Sequence, residues 1–168
     1  MNKAQQKETY YLNRLIKLRD VFKAAEKIKD HVYVVQAGGK RIFDIANWAT
    51  TNDHESDKLD ENICGTACCV AGTAGFIPEF RKAGLKTEIN KYGEGSVVLR
   101  SEDDYDNASE YAFAEFFGLT LDESMNITMP SAYVPEFGTS DPNPKMVVKR
   151  LNDYIKAKKN NIKMLGKK

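Results

Sequence analysis

The stretch NICGTACCVAGTAGFIP, residues 62–78, holds all three cysteines of the chain within a run of small side chains. Its composition and the closing proline predict a helix over residues 66–76, ended by Pro78. Ala67, Cys68, Ala71, Gly72 and Gly75 recur at three- and four-residue spacing, which makes one narrow small-residue stripe. Each glycine costs such a helix about 1 kcal/mol relative to alanine, so packing or function must offset it. Close approach of another helix is one answer, because a buried cysteine behaves as a small hydrophobe. Delivery of a thiol to the positive end of a helix is the other. The first answer puts this segment at the centre of the fold.

Working outward toward the N-terminus, Leu12, Leu15, Ile16, Leu18, Val21, Phe22, Ala25 and Ile28 repeat with helical period, and no Gly or Pro interrupts residues 3–29. Residues 32–35 are β-branched and aromatic and read as a strand, Ile42-Phe43-Asp44-Ile45 reads as a second short strand, and Gly38-Gly39-Lys40 between them reads as a turn. A phosphate-binding loop would need an upstream glycine and a Ser or Thr after the lysine. Trp48, the only tryptophan, is expected to anchor packing below that turn. Residues 50–62 read as an acidic surface loop.

Toward the C-terminus, residues 86–89 and 96–100 flank Tyr92-Gly93-Glu94-Gly95, a hairpin signal. Asn107 with Glu110 caps a helix through Phe113 and Phe116 that stops at Gly118. Thr120 with Glu123 repeats the capping logic. Residues 128–144 hold four prolines and read as an irregular connection. Asn143-Pro144 opens a last helix with Val147, Val148, Leu151, Tyr154 and Ile155 inward. The expected fold is α+β: a predominantly helical single domain over residues 1–155, built around the small-residue helix, with one or two short β-hairpins. Residues 156–168 read as a basic C-terminal tail.

A chain of 168 residues, 42% apolar and 29% charged, fits one water-soluble domain with a real core. The apolar runs are too short to cross a bilayer, the N-terminus is polar, and three clustered cysteines form no disulfide framework. A cytoplasmic setting with reduced thiols is expected. The net charge of +1 excludes a globally basic nucleic-acid binder. The lysines from Lys156 onward add salt-dependent attraction to phosphates. Specific nucleic-acid recognition is not expected, because no aromatics interleave them.

Three chemistries compete for the cysteine segment. As a thiol enzyme, a hydrolase or transferase, it would use Cys64 as nucleophile, His54 as base and Asp53 or Asp57 to orient the imidazole. The papain-type signature is absent, and no histidine follows Cys64. As a metal site it would draw on His54, Cys64, Cys68 and Cys69, one close pair and a distant histidine where structural zinc uses two pairs. Packing is the preferred reading, and no metal or cofactor is expected.

Phe43-Asp44-Ile45-Ala46-Asn47-Trp48, then Cys64-Gly65-Thr66-Ala67-Cys68, then residues 78–85 and 112–119 form an ordered series. In that order they resemble a group of small uncharacterised proteins from bacteriophages and bacteria. That group joins a Phe-Asp-hydrophobic-x-x-Trp element to a Cys-Gly-Thr-x-x-Cys helix, a Pro-Glu-Phe-x-x-x-Gly-Leu segment and an Ala-x-x-Phe-Phe-Gly-Leu helix, the last here carrying Ala114 as an intervening residue. The resemblance spans about residues 42–155 and implies a phage or bacterial cytosolic setting, without an activity to transfer. The expected function is a non-catalytic, phage-encoded accessory protein that binds a host protein or small ligand. Its expected contact surfaces are the acidic loop (Asp53, Glu55, Asp57, Asp60, Glu61) and the proline-rich connection around Tyr133 and Phe137.

Overall fold

The computed structural model describes residues 1–28, 31–36, 39–43, 67–89, 95–99, 109–139 and 142–167. The first helix, α1 (Lys3–Lys23), starts at a capping box: the Asn2 side chain accepts from the Gln5 amide while the Gln5 side chain accepts from the Asn2 amide, both at 2.9 Å. It ends six residues earlier than its apolar period suggests. Residues Glu26–Ile28 form β1, whose backbone groups pair with β2 (His31–Gln36), and strand pairing overrides the helical pattern there. Strand β2 pairs antiparallel with β3 (Gly39–Phe43), and β3 pairs parallel with β4 (Ala67–Cys68), which gives the sheet order β1-β2-β3-β4.

The cysteine segment departs from its expected form. Ala67 and Cys68 are strand, and the helix α2 occupies only Val70–Phe76. All seven of its residues are buried. After it come α3 (Pro78–Lys82), then a hairpin of β5 (Leu85–Ile89) and β6 (Gly95–Leu99) in the expected place. Strand β5, and not a helix, fills the groove left by the small residues of α2. The Thr87 hydroxyl donates to the Gly72 carbonyl at 2.8 Å, and a Cβ on Gly75 would stand 2.1 Å from the Thr87 Oγ1 and 2.5 Å from its backbone nitrogen.

Helix α4 (Ser109–Phe117) joins the hairpin through Ser109, whose Oγ accepts from the Val97 amide at 2.9 Å. Its Phe116 and Phe117 meet Phe80 of α3 edge-on with centroids 5.2 and 5.5 Å apart, and Phe113 packs on Phe117 at 4.4 Å. Helix α5 (Leu121–Thr128) starts at the Thr120–Glu123 capping box.

The proline-rich stretch expected to be irregular is ordered instead. It forms a 3-10 turn at Pro130–Tyr133 and a short helix α6 at Val134–Phe137. Arg150 organises it: the guanidinium lies 3.9 Å from the Tyr133 ring centroid and donates to the carbonyls of Asn126 and Ala132 and to the Glu136 carboxylate. One planar, multi-donor cation thus satisfies a turn that prolines cannot close with their own amides.

The last helix, α7 (Pro144–Leu165), is 22 residues long, so the expected boundary at residue 155 falls inside it. Residues 156–165 are helix because their inner face has a partner. Ile162 packs on the core, and the side-chain amides of Asn2 and Gln5 donate to the carbonyls of Leu165 and Ile162. Those carbonyls belong to the last turn, where no helical donor remains. The architecture is a predominantly helical α+β fold with one buried apolar cluster drawing on α1, α2, β5, β6, α4, α5 and α7.

Candidate functional site

The site is built at the end of α4. Gly118 takes the left-handed conformation (φ +60°), and the Leu119 amide closes back on the Ala114 carbonyl at 2.9 Å. This is a Schellman stop. Only glycine fits, since a Cβ would stand 2.2 Å from the Tyr11 ring of α1. The turn presents the Gly118 carbonyl to α7, where the Lys158 ammonium donates to it at 2.6 Å and to Glu8 of α1 at 3.1 Å. The ammonium also stands 5.4 Å from the Tyr11 ring centroid. Lys158 is only 8% exposed, and these partners make its burial tolerable.

Beside this ion pair lies a groove of about 630 Å³ between α1, the turn from Gly118 to Thr120, and α7. Leu119, Tyr154, Ala157, Met164 and Leu165 contribute apolar surface; Glu8, Glu123, Lys158 and Asn161 contribute polar groups. Burial pushes the Tyr154 phenol above its ordinary range, and a hydrogen bond with Asn126 partly opposes that. Glu8 and Lys158 balance each other, while Glu123 has no cationic partner among the described residues, so the lining is net negative by one charge. Apolar walls with a few converging polar groups are the usual make-up of a small-molecule site, and the volume is in the usual range.

Cys64, His54, Asp53, Asp57, Glu55, Asp60 and Glu61 fall outside the described residues, as do Trp48 and Asn107. Cys68 is in β4, so it shares no helical face with Cys64. The cysteine at the helix start is Cys69: its Sγ accepts from the Gly72 amide at 3.5 Å as N-cap of α2, and it is 1% exposed. A cap sealed in the core is packing chemistry, which buries the thiol away from any substrate.

Tyr133 is a correction to the expected contact surface. It is fully buried, its hydroxyl donates to the Ile127 carbonyl at 2.8 Å, and burial pushes its phenol far above the ordinary range. Phe137 is half-buried, stacked on Tyr133 with Lys149 4.9 Å from its centroid. Among the described residues no three His, Cys, Asp or Glu side chains converge as a metal site would require, and no helix is long and apolar enough to cross a membrane.

The sequence reads the groove residues as a helix face, a helix stop, a capping pair or a tail, and none of these marks a site. One signal could have found Lys158: the inward series Val147, Leu151, Tyr154 and Ile155 continues through 158 to Ile162, placing a lysine in core register. In comparisons of the whole chain, no family model matches, and no curated protein or solved structure shows significant similarity to it.

Proposed function

We propose that this chain is a non-catalytic accessory protein, phage-encoded and acting in the host cytoplasm, that holds a small ligand in the groove between α1, the Gly118 turn and α7. The observation that supports this reading is the groove itself. A partly buried ion pair fixes one wall, and apolar side chains from α7 form the other. The net negative lining suits a ligand with an apolar body and a cationic or hydrogen-bond-donating head, which Glu123 and Asn161 would meet.

The test is a ligand screen read by thermal shift and ligand-observed NMR, with amine-bearing and neutral fragments as the two arms. A ligand present at a hundred times its Kd adds about 2.7 kcal/mol of stability. Ala157→Trp fills the groove from an exposed helix position and should abolish binding while circular dichroism stays unchanged. No hit from either arm, or hits that Ala157→Trp leaves intact, would overturn the assignment.

A further inference from the structure

The net charge of +1 conceals a strong asymmetry. Residues 144–168 carry nine Lys or Arg against the single acid Asp153, whereas residues 1–143 carry 23 acids against 16 bases. In the structure these cations are not a loose tail. Lys145, Lys149, Lys156, Lys159 and Lys163 all lie on α7 and all are exposed. At 100° per residue they fall within an arc of about 80°, and at 1.5 Å per residue the row is about 27 Å long. The opposite face holds Val147, Leu151, Ile155 and Lys158 in the core, so the row cannot rotate away from solvent. Among the described residues only Lys149 of this row has an ion-pair partner, Glu136 at 2.6 Å.

We infer that this ridge is a sequence-independent docking surface for the phosphate backbone of duplex DNA. It rests on observations separate from the ligand groove. A straight, rigid row of ammonium groups complements a linear polyanion, and 27 Å corresponds to about eight base pairs at 3.4 Å each. Lysine is a point charge suited to phosphates, without the planar fork that reads guanine edges. The remainder of the chain carries seven more acids than bases, so its net charge offers a polyanion no attraction and the ridge supplies it. An anionic membrane fits less well. The arc of the ridge carries no exposed apolar side chain, the exposed Met164 lying about 60° around the helix from its edge, and a flat surface would also press against Asp20, Glu136 and Asp153, which are exposed beside it.

Fluorescence anisotropy with a random 20-base-pair duplex is the test, run from 50 to 200 mM salt on the full chain. Binding should weaken with salt with a log–log slope of about −4, set by four or five displaced counterions. Lys156→Gln, Lys159→Gln and Lys163→Gln together should lower affinity at least tenfold at 50 mM salt and reduce the slope by about 3. Arg81→Gln with Lys82→Gln, both exposed on α3 and not on α7, should change neither. Scrambling the duplex sequence should also change nothing. No binding at 50 mM salt, equal binding by the triple variant, or binding to phosphatidylserine vesicles without binding to DNA would overturn the inference.

Discussion

The Lys158 ammonium donates to the Gly118 carbonyl at 2.6 Å, which ties the last helix of the chain to the turn that ends α4. The same ammonium reaches Glu8 on α1, so three elements far apart in sequence meet at one nitrogen. Replacement by an apolar side chain strands the Gly118 carbonyl and leaves the half-buried Glu8 carboxylate without its cation. Lys158→Met is therefore expected to cost about 1–3 kcal/mol. Glu8→Gln, which keeps an acceptor, should cost less than half of that. Thermal denaturation decides it; a Lys158→Met variant as stable as the parent would show that the pair contributes nothing.

Gly118→Ala places a side chain at φ +60° and against the Tyr11 ring. The backbone strain alone is about 1–3 kcal/mol. Because part of the penalty is a clash with one ring, Gly118→Ala combined with Tyr11→Ala should be less destabilised than the two single losses added together. Strict additivity in a urea-denaturation cycle would rule out the clash.

Gly75→Ala distinguishes a packed glycine from an exposed one. In an exposed helix the change gains about 1 kcal/mol. Here the new methyl meets the Thr87 backbone of β5, which cannot move without parting the hairpin from α2. A net loss of about 1–3 kcal/mol is expected. A stabilised variant would mean that β5 does not sit on α2.

Acid should weaken the chain through Glu136. Hydrogen bonds from Lys149 first, and then Arg150, hold its carboxyl below the ordinary range. A carboxyl whose folded pKa is depressed contributes stability that is complete above its unfolded value, about 4.3. That contribution is lost as pH falls through the depressed folded value. The group is partly exposed, so less than about 1 kcal/mol is at stake. Urea midpoints at pH 6 and pH 3 should differ less in Glu136→Gln than in the parent, and an unchanged difference would remove Glu136 from the account.

The groove and the ridge were legible to different degrees. Lys156, Lys159 and Lys163 are visible as a basic run, but their shared face emerges only once residues 156–165 are seen to be helix. Polar, lysine-rich sequence gives no local reason to continue a helix there. The reason is Asn2 and Gln5, about 160 residues away, which complete the last turn. Lys158 shows the converse, since its register was readable while its partners Glu8 and Gly118 were not.

What the sequence determined by itself is the set of features whose partners lie within a few residues. These are the Thr120–Glu123 box, the Asn143–Pro144 start, the Gly118 stop and the antiparallel pairing of β5 with β6. Caps and turns are local hydrogen-bond solutions, so residue type and spacing suffice to name them. Tertiary structure alone decided that β1 ends α1, that Cys69 caps α2 inside the core, and that β5 fills its small-residue face. It also decided that Tyr133 faces inward under Arg150. In each of those cases the deciding contact joins elements separated in the chain, and whether it forms depends on what else is buried beside it.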